Sequence, residues 1–319
     1  FLGLVILLVF VILKIKQKKI DLFSSFRPKF GDFKQYFVFA MPLFIPYFIG
    51  QFNTIIEKRL MTKLGIGSVS IIDFGKKFPD MVNGVVSSVL LTILIPVLAK
   101  AFVQRDENNF SKNFIQIFSL GILGLGFFVI FMFFGSSDLM HFFYGNSDIS
   151  VESMEQILKL NIFYSIAIIA VFIYVIFGMS MLAIGKSKLN ALAGSVTQIL
   201  VILSNIFLID QMGIVIFPLS IFIAHIVSGL YMFNYYPYRK GKIVNTFGKN
   251  VLMLLLVFFV LKLIFPYIMP QLPFEEIILV RLGAMATMQL IVFVTMGYFL
   301  RLEEFTSGLI YIKKRLGRS

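Results

Sequence analysis

The chain has 319 residues, of which 59% are hydrophobic and 14% charged, with a net charge of +13 and a mean hydropathy of +0.92. That balance lies well outside the range of soluble globular domains and calls for an all-α polytopic membrane protein. It has no cysteine and two histidines, His141 and His225, which excludes disulfides and thiolate metal sites and leaves no basis for a metal centre or cofactor.

Nucleic acid is not the expected partner of the positive charge. The basic residues fall in short loops between apolar runs, as cytoplasmic loops do, where they favour contact with membrane lipids.

In chain order, FLGLVILLVFVILK at 1–14 reaches only about 21 Å as a helix and reads as the end of a cut span. KIKQKKIDLFSSFRPKFGDFK follows, with seven basic residues against two acids between Lys14 and Lys34, and is expected along the inner membrane surface. Spans are predicted at about 36–56, 68–100, 113–135, 157–184, 189–209, 213–235, 247–269 and 277–300. Pro42 and Pro46 predict a kinked or broken helix in the first of these.

The charges between spans alternate. The segments at 15–34, 101–112, 185–190 and 236–249 and the tail from Arg301 are basic or mixed. The segment 136–156 carries Asp138, Asp148, Glu152 and Glu155 and no Lys or Arg, while 270–276 holds Glu275 and Glu276. The basic side is cytoplasmic.

One connection breaks the pattern. EKRLMTKLGIGS places Lys58, Arg59 and Lys63 on the outer side, and DFGKKFPD (73–80) follows at once. Asp73, Lys77 and Asp80 recur at i, i+4 and i+7 and share a helix face, with Lys76 beside them. Two readings stand. Lys76 and Lys77 snorkel to headgroups with the aspartates as local partners, or the face lines a watery cavity and meets an anionic group. Gln51, Asn53 and Glu57 on the preceding span and Asn83 below Asp80 are candidates to face the same space.

Other polar residues in the spans read as packing. Asn161, Gln198, Asn205, His225 and Gln289 are expected to hydrogen-bond between helices, and Arg281 to pair with Glu276 or snorkel. The small residues of GILGLG (121–126) and ALAGS (191–195) predict close helix approach.

The run from Met41 to Lys100 resembles the start of the C-terminal lobe of MurJ/MviN-type lipid II flippases, of the multidrug/oligosaccharidyl-lipid/polysaccharide (MOP) exporter superfamily. The resemblance rests on Pro42, Gln51 followed by Asn53, Glu57, GSVS at 67–70, Gly84, and Thr92, Leu94 and Pro96. It implies a six-helix lobe at 35–235, preceded by a helix end and basic linker at 1–34. Two additional helices and a basic tail follow at 236–319. A missing N-terminal lobe of the same protein would complete a central cavity.

The resemblance also implies residents of that cavity. The family's arginine and glutamate on the eighth helix fall at Lys77 and Asp80. A substrate diphosphate would pair with Lys77, helped by Lys76 or Arg59, while Asp73 and Asp80 orient the cations. Lysine does not reproduce the two-pronged grip of arginine on phosphate. The implied function is movement of undecaprenyl-pyrophosphate-linked lipid II across the bacterial inner membrane by alternating access. The alternative is another lipid-linked oligosaccharide, for capsule, O-antigen or exopolysaccharide. A cationic cavity disfavours a cationic-drug antiporter. A membrane glycan polymerase would need a larger outer catalytic loop than 136–156 offers.

Overall fold

The computed structural model describes residues 2–18, 30–145, 147, 149–269, 278–302 and 304–305, and its described residues form helices without a strand. The contacts divide the chain into two compact units, residues 1–42 and 43–319. In the first, helix α1 (Leu2–Gln17) leaves Leu7, Leu8, Phe10 and Leu13 exposed, as a lipid-facing helix does. Most of the basic linker, residues 19–29, lies outside the described residues.

Helix α2 (Phe30–Lys63) has 34 residues and would be about 51 Å long, more than one crossing needs. Its length explains the cations that broke the charge pattern: Lys58, Arg59 and Lys63 lie in its last two turns. Gly65 and Gly67 turn the chain at φ 124° and 87°, where only glycine is free of strain.

Helix α3 (Ser68–Val89), a π-turn at Leu90–Leu94 and helix α4 (Ile95–Val103) follow. Gly75 and Pro79 are accommodated within regular helix, and the irregular turn falls just before Pro96. Proline has no N–H to give to the carbonyl four residues back, so the ladder at Thr92 widens there.

Helix α5 (Glu107–Tyr144) is capped by Asp106, whose Oδ1 accepts from the Asn109 N–H at 2.9 Å. Helix α6 (Val151–Ala183) is capped by Ser150. Helices α7 (Ser187–Met212) and α8 (Ile216–Tyr235) join through a tight turn at Gly213, whose φ 56° and ψ −139° suit glycine alone. Helices α9 (Lys240–Ile268) and α10 (Ile278–Phe299) end the described helices.

Six segments among the described residues are long and apolar enough to cross a membrane. One, Ser187–Tyr235, has 49 residues; α7 and α8 pack against each other across the Gly213 turn, so it holds two crossings. Seven of the eight expected spans are thereby accounted for, and the eighth is the helical but more polar α2.

Helix α6 is central, packing against α3, α5 and α8. One core gathers Leu94, Leu98, Phe114, Phe177 and Tyr236 in the inner half. A second joins Leu60, Met61, Ile72, Leu160, Tyr164 and Phe217 in the outer half. A third lies where α9 and α10 meet α5. The small residues act as expected: a Cβ on Gly194 would stand 3.0 Å from Pro46, and Gly126 lies under Leu254.

The polar residues divide. Gln289 donates to the Phe127 carbonyl at 2.6 Å and so joins α10 to α5. His225 instead bonds within its own helix, to the Ile221 carbonyl, and sets its ring edge-on to Tyr174. Asn205 is buried, and its Oδ1 has no hydrogen-bond partner among the described residues. Arg281 reaches Asp138 on α5 at 2.8 Å. Asp138 is part of α5, not of a loop, because that helix continues to Tyr144. Glu276 lies outside the described residues.

Candidate functional site

The outer half of α3 is rotated by its packing. Ile72, Gly75 and Pro79 recur at three- and four-residue intervals and are buried, so they form the stripe that meets α6. Gly75 permits close approach: a Cβ there would stand 2.7 Å from that of Leu160. Pro79 removes the N–H that would have satisfied the Gly75 carbonyl. Asn161 of α6 repairs the gap, its Nδ2 donating to that carbonyl at 3.1 Å.

This rotation places Asp73, Lys76 and Asp80 on the adjoining face, at i, i+3 and i+7. Lys76 Nζ lies 3.0 Å from Asp73 Oδ1, and the side chains are 30% and 52% exposed, so the pair is reachable rather than sealed. Lys77 and Asp80 are exposed, and Asn83 is half-buried one turn further. Phe74 and Phe78 flank the other edge, against Tyr144 and Phe143 of α5.

Helix α2 brings Glu57. It is half-buried and lies within electrostatic reach of Lys76, Asp73 and Asp80. Asn53, one turn earlier on the same face, donates through Nδ2 to Gln198 Oε1 of α7 at 3.0 Å, and Gly50 lets the Gln198 side chain approach the helix. Gln51 and Arg59 are each two residues from these positions, about 200° round the helix. Both are exposed. The structure therefore joins Glu57 to the α3 cluster and turns Gln51 and Arg59 away from it.

Helix α6 supplies a residue that sequence reasoning missed. Tyr164 is 4% exposed, its hydroxyl has no hydrogen-bond partner among the described residues, and it lies within the field of Glu57, Asp80 and Asp73. Nothing in an apolar span such as NIFYSIAIIA marks this tyrosine; only its register, three residues after Asn161, links it to the same face.

The assembled group holds three carboxylates, Glu57, Asp73 and Asp80, against two ammonium groups, Lys76 and Lys77. Among the described residues only Lys76–Asp73 is in ion-pair contact here. Charges this far into a membrane helix face water or one another. Chemically the group offers cations whose partners can be exchanged, at the mouth of a hydrophobic bundle. It gathers no set of three metal-ligating residues among those described.

The fold resembles that of a solved structure described as "Lipid II flippase MurJ, inward closed conformation", with a TM-score of 0.67 at 20% identity, covering 86% of this chain and 56% of that one. A MOP superfamily transporter from Pyrococcus furiosus, described as having a binding pocket of reversed polarity, aligns with a TM-score of 0.49 at 14% identity, covering 86% of this chain and 67% of that one. No curated protein sequence matches.

Fold and composition together define a multi-pass helical membrane protein. The profile of the family described as "Lipid II flippase MurJ" matches residues 1–299, and the chain belongs to that family. It is a protein of the bacterial inner membrane. The chain spans 56% of the length of the solved flippase it resembles.

Proposed function

We propose that this chain forms the C-terminal lobe and the two following helices of a lipid II flippase. Residues 35–235 would make the six-helix lobe, 236–319 the additional pair, and 1–34 the preceding helix end and linker. The observation that carries this reading is the family match across residues 1–299, and the structural likeness to a solved flippase supports it. An N-terminal lobe of the same protein would supply the facing wall of the cavity.

In this reading the lipid-linked diphosphate engages the α3 cations. Lys76 and Lys77 meet the phosphates, and Asp73 holds Lys76 at 3.0 Å until the substrate arrives. Exchange of one anionic partner for another keeps the lysine compensated throughout, so the substrate is gripped without being trapped. Glu57 links the same cluster to α2, so occupancy can be felt between the two helices as the lobes rock in alternating access.

The test is rescue. The full-length gene is expressed in a bacterium depleted of its essential lipid II flippase, with Lys76→Ala and Lys77→Ala alongside. Growth with the wild type, and loss of growth with a Lys76→Ala protein inserted at equal level, is the expected result. A well-inserted wild type that does not rescue would move the assignment to another lipid-linked oligosaccharide.

A further inference from the structure

The cations that broke the charge pattern of the outer side have no part in the α3 cluster. Lys58, Arg59 and Lys63 are exposed in the last two turns of α2. Arg59 and Lys63 have no ion-pair contact among the described residues. Cations on the outer side run against the topology rule, so their presence calls for an anion that meets them there.

Arg59 and Lys63 also continue a stripe. Phe44, Phe48, Phe52, Ile55, Arg59 and Lys63 recur at four- and three-residue steps, which sets them on one side of α2. The four apolar members are 51% to 65% exposed. The opposite side is taken: Asn53 holds Gln198 of α7 at 3.0 Å, and Leu60 is buried. From Phe44 to Ile55 the stripe is about 17 Å long, close to one leaflet of a roughly 30 Å hydrocarbon core. Arg59 follows one turn further, at the level of the outer headgroups, with Lys63 a turn beyond it and Lys58 alongside.

An apolar stripe one leaflet deep that ends in cations has the outline of a lipid with an anionic head. We propose that this side of α2 binds a lipid-linked diphosphate in the outer leaflet, its chain along the phenylalanines and its phosphates on Arg59 and Lys63. A phosphodiester headgroup carries one negative charge, which a single cation compensates. Two cations a turn apart, with a third beside them, suit two phosphates in series. The arginine fork takes one phosphate through two N–H groups, and the lysine meets the other as a point charge. The α3 cations and the α2 cations then receive the same chemical group, one site at the cavity mouth and the other on the outer surface.

This inference rests on the reading of the chain as a carrier of lipid-linked diphosphates, and the experiment separates the two. The full-length protein is reconstituted in phosphatidylglycerol vesicles with a photoreactive benzophenone side chain in place of Phe52. Labelled undecaprenyl pyrophosphate is added to the outer leaflet, so that capture on illumination requires no transport. The label is expected on the protein, and Arg59→Gln with Lys63→Gln is expected to lower its capture about tenfold. Lys76→Ala, on another helix and face, is expected to capture within about twofold of the unsubstituted cluster. Capture unchanged by the Arg59, Lys63 double variant, or capture of phosphatidylglycerol in preference to the diphosphate, would overturn the site. So would a cross-link within the protein alone, which would show that the missing lobe covers the stripe. Loss of capture in Lys76→Ala would overturn it as well, by moving the lipid to the α3 cluster. A protein that captures the label but does not move lipid II would remove the flippase reading and leave the outer site. One that moves lipid II and captures nothing would remove the outer site alone.

Discussion

Two regions of the molecule treat polar groups in opposite ways. Where α9 and α10 lie on α5, three polar side chains reach a partner on the facing helix. Asn250 donates to Ser119 Oγ at 2.8 Å, Gln289 to the Phe127 carbonyl at 2.6 Å, and Arg281 pairs with Asp138 at 2.8 Å. Where α2, α3 and α6 meet in the outer half, among the described residues Glu57 and Asp80 have no ion-pair contact and the Tyr164 hydroxyl no hydrogen-bond partner. Without water to receive them, polar groups in a bundle are paired when their task is to hold helices together. Groups left open at a reachable mouth are arranged for something that arrives.

The largest expected effect lies in the open region and touches activity alone. The Lys76→Ala, Lys77→Ala double variant should abolish rescue while its thermal unfolding in detergent stays within about 1 kcal/mol of wild type, as expected for groups that remain partly solvated. Lys242→Ala, an exposed cation of the inner side, should leave rescue unchanged. Equal loss of rescue from both would erase the distinction between cluster and scattered charge.

Next comes the paired region, where stability alone should respond. Arg281→Met leaves Asp138 without its cation in a site where the two side chains are 36% and 11% exposed. The cost should be about 1–3 kcal/mol, discounted from a fully buried pair because the arginine reaches solvent. Adding Asp138→Leu should recover part of it. A double variant no better than the single one would show that the pair contributes no coupling.

Of similar size is the repair at Pro79. Asn161→Ala orphans the Gly75 carbonyl and should cost about 1–3 kcal/mol; restoring the N–H with Pro79→Ala should reduce that penalty. The smallest is the α5 cap, where Asp106→Ala should cost about 1 kcal/mol. Thermal unfolding of the detergent-solubilised protein measures both. A cap variant that costs more than Asn161→Ala would reverse the ranking.

The helices were legible because each crossing is a long apolar run with basic or acidic punctuation. Even the anomalous Lys58, Arg59 and Lys63 turned out to mark the far end of an over-long α2. What the sequence could not determine was rotation. Asp73 can pair with a lysine at i+3 or i+4, and both positions hold one. The choice of Lys76 follows from the burial of Ile72, Gly75 and Pro79 against α6, a tertiary contact with no local signal. Likewise Asn161 was readable as an interhelical donor, but its acceptor was not, because the Gly75 carbonyl is free only through Pro79. Arg281 is expected from sequence to pair with Glu276 or snorkel, and the fold gives it Asp138, more than a hundred residues earlier. Gln51 and Arg59 carry the right chemistry but sit on the wrong side of α2 to join Glu57.

The central claim is that the α3 cations receive the phosphates of a lipid-linked substrate. It is tested most directly by reconstituting the full-length protein in vesicles and measuring transbilayer movement of fluorescently labelled lipid II, for wild type and for Lys76→Ala. The account predicts movement above the protein-free rate for wild type, and a return to that rate for equally reconstituted Lys76→Ala. Transport by Lys76→Ala at the wild-type rate would contradict it.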